Sequence, residues 1–141
     1  MTRKVVSIIV FGLFGPLSNA QEKPLPIESV QTIIKAVNTH DPNLYVSVFA
    51  EDVRIWVEDV LKISNRDELL ANRKLHLKKY SNAISEIQHL VEIDNKVIMH
   101  DRVWLQGKNG SANEIVEIFT FDQEGKIYKV NVIQPLDLFD K

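Results

Sequence analysis

Ile27, Val30, Ile34 and Val37 recur at spacings of three, four and three, one stripe of an amphipathic helix. Pro26 marks its start, because a fixed φ suits the first helical turn and the missing N–H is not needed there. Asp41-Pro42 repeats the signal as N-cap and first helical residue, and Leu44, Tyr45, Val48 and Phe49 supply a second apolar face that ends near Ala50. Val53 to Val57 is β-branched and aromatic and predicts a strand, followed by a loop from Val60 to Ser64. Asn65 with Glu68 three residues later resembles a capping box, opening a third helix that carries Leu69, Leu70, Leu77 and Tyr80.

After Ser81 the period changes from helical to alternating. Ala83 to Ile93, Val97 to Gln106, Ala112 to Phe121 and Lys126 to Gln134 are separated by Asp94-Asn95, Lys108-Asn109-Gly110-Ser111 and Glu124-Gly125, all turn formers. The second half is therefore expected to be a four-stranded antiparallel meander, and helices followed by such a run give an α+β fold with the helices on one face of a curved sheet. Asn109-Gly110-Ser111 also matches a glycosylation acceptor, but Asn-Gly is better explained as a hairpin tip.

At 141 residues, 45% hydrophobic and 26% charged, the chain has enough apolar residues for one core. The absence of cysteine excludes a disulfide scaffold, thiol catalysis and thiolate metal sites. A net charge of −2 provides no basic footprint for nucleic acid. Thr2-Arg3-Lys4, the apolar run Val5 to Leu17 and the small residues Ser18-Asn19-Ala20 form a secretory signal, with cleavage expected after Ala20 and a domain over residues 21–141. The apolar run is shorter than the roughly 20 residues a membrane span requires. The expectation is a periplasmic or secreted protein, free of the membrane after cleavage.

Candidate chemistry follows from hairpin register, because side chains alternate faces along a strand. A two-residue turn at Asp94-Asn95 sets His100 opposite His89 and Arg102 opposite Ile87, and one at Glu124-Gly125 sets Val132 opposite Glu117 and Val130 opposite Phe119. A four-residue turn at 108–111 sets Arg102 opposite Glu117 and Trp104 opposite Ile115. One face then collects His89, His100, Arg102, Trp104, Glu117, Phe119, Val130 and Val132, with Ile55, Trp56 and Val57 of the first strand beside it. The other collects Val103, Leu105, Val116, Ile118, Ile127 and Ile133 among Asp101, Thr120, Lys129 and Asn131, apolar enough to suggest a homodimer through the outer sheet face. Glu117 and Arg102 are the sharpest pair: either an acid–base group tuned by a guanidinium, or a structural ion pair whose breakage by removing one partner costs on the order of 3 to 5 kcal/mol. Two histidines with no third ligand do not make a metal site. Arg73, Lys74, Lys78 and Lys79 read as a solvated basic helix face.

The helix hairpin, Phe49-Ala50-Glu51-Asp52-Val53 entering a strand, the capped helix and a meander with Phe121-Asp122-Gln123-Glu124-Gly125-Lys126-Ile127 resemble the SnoaL-like and ketosteroid-isomerase-like branch of the nuclear transport factor 2 (NTF2-like) superfamily. The resemblance covers nearly all of the chain after residue 20. It implies a cone-shaped curved antiparallel sheet wrapped on three helices, with a pocket inside the cone and frequent dimerisation through the sheet. It also implies positions for an isomerase site: the general base falls on Val57, the oxyanion-hole tyrosine near Ile33 and the second oxyanion-hole acid on Glu117, so two of the three are missing. A one-residue bulge bringing Glu58 inward would restore a base. In the limonene-epoxide-hydrolase relatives an arginine between two acids activates water; Arg102 matches the arginine, while Trp104 and Val132 replace the acids. The expected function is therefore a small apolar ligand held in the cone, with Arg102, Glu117 and His100 orienting its polar end and no cofactor implied. The alternative is an isomerase- or hydrolase-like enzyme using Glu117 or Glu58 as acid or base with Arg102 or His100 beside it.

Overall fold

The computed structural model describes residues 22–135 together with Gly15 and Leu138; the expected leader and its cleavage point otherwise lie outside the described residues. Helix α1 spans Pro26–Asn38, with Pro26 at its start as the sequence requires. Its buried line is Ser29, Val30, Ile33 and Ala36, one position round from the expected stripe, so that Ile27, Ile34 and Val37 flank the contact instead of centring it. The short α2, Pro42–Val46, is capped by the Asp41 carboxylate, which accepts the Leu44 N–H at 2.9 Å. In α3, Arg66–Lys79, Asn65 accepts the Glu68 N–H at 2.9 Å, and the returning Glu68 carboxylate takes the Ser64 N–H at 2.8 Å, one residue before the expected box partner.

Six strands form one curved sheet in the order β2-β1-β6-β5-β4-β3. They are β1 (Phe49–Val57), β2 (Val60–Ile63), β3 (Ile84–Ile93), β4 (Lys96–Trp104), β5 (Asn113–Phe121) and β6 (Ile127–Ile133). The four-stranded meander is present, but the sheet is mixed, because β1 runs parallel to β6. Val60 to Ile63, expected as a loop, is a strand paired with β1 through a two-residue turn at Glu58-Asp59, with φ of 46° and 68°. Left-handed backbone at both turn residues suits the twist of a hairpin and usually calls for Asn or Gly, so Glu-Asp concealed it. The helices pack on the concave face, α1 against β3 and β4 and α3 against β1 and β2. The core between them includes Val30, Ile33, Phe49, Val53, Leu69, Val97, Met99, Phe119 and Val130.

The register at Asp94-Asn95 is as expected, with His89 opposite His100, until a bulge between Ile87 and His89 brings Glu86, not Ile87, opposite Arg102. That at Glu124-Gly125 also holds, with Glu117 opposite Val132 and Phe119 opposite Val130. Between β4 and β5 it does not: Arg102 lies opposite Glu114, Asp101 opposite Ile115 and Met99 opposite Glu117. Leu105 and Gln106 have left the ladder, and Gly107 turns the chain at φ 78° with its carbonyl accepting the Gly110 N–H at 2.9 Å. The connection is thus longer than four residues, and the resulting slip is an odd number of positions. An odd slip exchanges the faces of one strand relative to the next, so Asp101 and Val103 join Glu117 inside while His89, His100, Arg102 and Trp104 go outside.

Candidate functional site

A cavity of about 650 Å³ lies between the concave sheet face and the helices, within the usual range for small-molecule sites. Its apolar wall includes Ile33 of α1, Ile55 and Val57 of β1, Phe119 of β5, and Val130 and Val132 of β6. Its polar centre is made by Asp101 of β4, Glu117 of β5, Arg73 and His76 of α3, Tyr45 of α2 and Ser85 of β3.

Asp101 is held in place. The Ser85 hydroxyl donates to its Oδ2 in a very short hydrogen bond, and the Glu86 N–H donates to Oδ1 at 3.0 Å. Ser85 is itself fixed by Asn38, whose amide donates to the Ser85 carbonyl at 2.9 Å and accepts its N–H at 2.8 Å. Burial pushes Asp101 up to about 6, against the opposing hydrogen bonds from Ser85 and the backbone. Glu117 is half-buried only because it opens onto the cavity; it lies deep in the protein. Burial first, and the Asp101 charge second, push its carboxyl up to about 7, with Arg73 pulling the other way. The Arg73 guanidinium sits 5.3 Å from the Tyr45 ring centre and donates to the Asn72 side chain. Burial raises the Tyr45 hydroxyl to about 12 despite Arg73, and burial with the Arg73 and Lys79 charges lowers His76 to about 4.

Six of the residues expected in the pocket line it: Glu117, Phe119, Ile55, Val57, Val130 and Val132. Glu58 also lines the cavity, exposed at its edge, where its carboxylate accepts the Gln134 N–H at 3.0 Å; the bulge in β1 falls between Ile55 and Trp56. The other five lie elsewhere. Arg102 donates through Nε to Glu114 Oε1 at 2.7 Å, not to Glu117. His100 meets Glu114 Oε2 at 2.6 Å through Nε2, and its Nδ1 lies 3.1 Å from that of His89, the two rings stacked. Trp104 lies beneath Lys108, and Trp56 beneath Lys129. The Arg102–Glu114–His100 row is on the outer sheet face, where water screens it.

Asp101, Ser85, Tyr45, Arg73 and His76 are the polar-centre groups that the sequence reading did not assign. Arg73 had a visible signal: it falls four residues after Leu69 and four before Leu77, in the middle of the apolar stripe of α3. A cation on that stripe faces inward, unlike Lys74 and Lys78. Asp101 had none beyond register, since its inward direction depends on the length of the β4–β5 loop.

A family model described as a SnoaL-like domain matches residues 30–130. No curated protein matches the sequence. Among solved structures, an uncharacterised cystatin-fold protein from Novosphingobium aromaticivorans aligns over 78% of this chain and 98% of its own, with a TM-score of 0.70 and 18% identity. A protein of unknown function from Cytophaga hutchinsonii, named as similar to nuclear transport factor 2, aligns over 86% and 99% with a TM-score of 0.69 and 12% identity. A proposed isomerase of the SnoaL-like family from Agrobacterium tumefaciens aligns over 77% and 96% with a TM-score of 0.64 and 15% identity. At these identities the likeness concerns the fold.

Proposed function

Since the chain belongs to the SnoaL-like domain family, we propose that its cone binds a small, largely apolar molecule and that Glu117 exchanges a proton with it, as in an isomerase- or cyclase-type reaction. The observation that carries this reading is the Glu117 carboxyl: it opens into the cavity beside an apolar wall, and burial pushes it up to about 7, where acid and base forms are both populated at neutral pH. Asp101 is tethered by Ser85 and the Glu86 N–H, so it is the fixed neighbour and Glu117 the group that works. Glu117 accepts a proton from an acidified C–H or O–H of the bound molecule and returns it at another position. The Arg73 charge draws the Glu117 carboxyl partway back down without forming an ion pair with it, and the apolar wall excludes bulk water. Simple binding without turnover, the expectation drawn from the missing base at Val57, is the competing outcome.

The test is deuterium incorporation from D2O into a panel of cyclic ketones, followed by NMR. The wild-type protein accelerates exchange into at least one ketone, Glu117→Gln abolishes that acceleration, and Arg102→Gln leaves it intact. A panel that binds with no exchange overturns the catalytic reading in favour of binding alone.

Two wider features belong to the same reading. The leader over residues 1–20 directs export, leaving a mature chain that begins at Gln21 in the periplasm or outside the cell, which N-terminal mass spectrometry of the exported protein checks. The outer sheet face, with Ile98, Val116, Ile118 and Ile133 on it, pairs with a second copy.

A further inference from the structure

The cavity opens between the β1–β2 hairpin and α3, where its exposed lining residues include Val60 and Lys62 on one side and Leu75 and Lys79 on the other. Asn72, His76 and Lys79, at helical spacing, bring one face of α3 to this mouth. Arg73 lies further in, half-buried. Among the described residues no carboxylate lies within ion-pair distance of Arg73 or of Lys62. The Arg73 guanidinium is braced by Asn72 and the Tyr45 ring, which position it without neutralising it. Lys79 leans over the Tyr80 ring, 5.0 Å from its centre.

The acidic groups of the cavity are placed differently. Asp101 and Glu117 sit on the sheet floor, and Glu58 at the edge is engaged with the Gln134 N–H. The site therefore runs from an apolar floor with two carboxyls, both held above their ordinary range, to an entrance carrying an inner arginine without a carboxylate partner and two outer lysines.

Resting on the proposed function, we infer that the molecule bound in the cone carries a carboxylate, held at the mouth by Arg73 with Lys62 and Lys79 around it, while its apolar body reaches Glu117. A planar guanidinium takes a carboxylate through two parallel hydrogen bonds, and a partly desolvated site makes that contact discriminating against an uncharged analogue. The apolar lips Val60 and Leu75 receive the carbon skeleton behind the carboxylate, so the ligand class is an amphipathic carboxylic acid of a size the 650 Å³ cavity admits.

The test uses naphthylacetate and its methyl ester as paired probes, titrated by NMR at pH 8 into the purified protein. The acid binds about tenfold or more tighter than the ester, a preference consistent with one charge-assisted contact. Arg73→Gln removes the preference by weakening the acid and leaving the ester unchanged. Lys62→Gln, at an exposed position where folding is not at risk, reduces it two- to threefold. Equal or weaker binding of the acid, failure of both probes to bind at millimolar concentration, or equal losses for acid and ester in Arg73→Gln each overturn the inference. Because binding is read without turnover, Glu117→Gln separates the two ideas: it retains the acid preference even if the proton-exchange reading fails.

Discussion

At the scale of single residues, Asp101 and Glu117 set an unusual pH dependence. Glu117 has an ordinary value of 4.5 and a folded value of about 7, and Asp101 moves from 3.8 to about 6. The folded state therefore holds more protons than the unfolded state between these limits, and stability falls as pH rises through them. It is greatest below about pH 3.8, where both groups are protonated in either state, declines to about pH 7 and is level above, as far as these two groups decide. The Glu117 share is about 2 to 3 kcal/mol, given one pH unit per 1.36 kcal/mol and some screening by cavity water. Urea denaturation from pH 4.5 to 8 checks this: Glu117→Gln flattens the slope and is more stable than wild type at pH 8. By contrast, Arg102→Ala changes stability little at any pH, because its partner Glu114 is in water. The steep cost expected of a buried Arg102–Glu117 pair does not arise, since the two side chains occupy opposite faces of the sheet.

At the scale of elements, the turn at Glu58-Asp59 carries strain that the sequence does not need. Asp59 has φ 68°, a region costing most non-glycine residues about 1 kcal/mol or more. Asp59→Gly should stabilise the chain by about 0.5 to 1 kcal/mol in thermal or urea unfolding, and Asn65→Ala, losing the cap on the Glu68 N–H, should cost about 1 kcal/mol. Glu58 is left in place because its carboxylate holds Gln134. Elements that announce themselves by local chemistry were legible: the proline starts, the Asn65 cap and the two tight hairpins each satisfy nearby backbone groups. The β1–β2 hairpin was not, because its turn lacks the residues its dihedral angles favour. The β4–β5 register was not either, because Lys108-Asn109-Gly110-Ser111 marks the tip while Gly107, two residues outside Leu105, marks where the ladder stops. One loop misjudged by an odd number of residues moved half of the expected site to the wrong side of the sheet. Glu117 and its apolar neighbours survived because they are joined by the β5–β6 hairpin alone.

At the scale of the molecule, the two sheet faces have separate tasks. The concave face holds the core and the cavity, and the mouth opens beside α3. The convex face carries Ile98, Val116 and Ile118 at its middle and exposed Val91, Ile93 and Ile133 toward its margins, crossed by the His89–His100–Glu114–Arg102 row. The proposed second copy would cover an apolar field of that extent, with the Arg102–Glu114 pair on the same face to set how the two align. Sedimentation equilibrium at micromolar concentration should therefore give a dimer, and Ile118→Lys a folded monomer with unchanged circular dichroism. Since Ile118 points away from the cone while its neighbours Glu117 and Phe119 line it, the monomeric variant should still take up naphthylacetate with wild-type affinity. A wild-type monomer removes the second-copy reading, and a monomeric variant that no longer binds would tie the cavity to the assembled face, contrary to the division of labour that the sheet lays out.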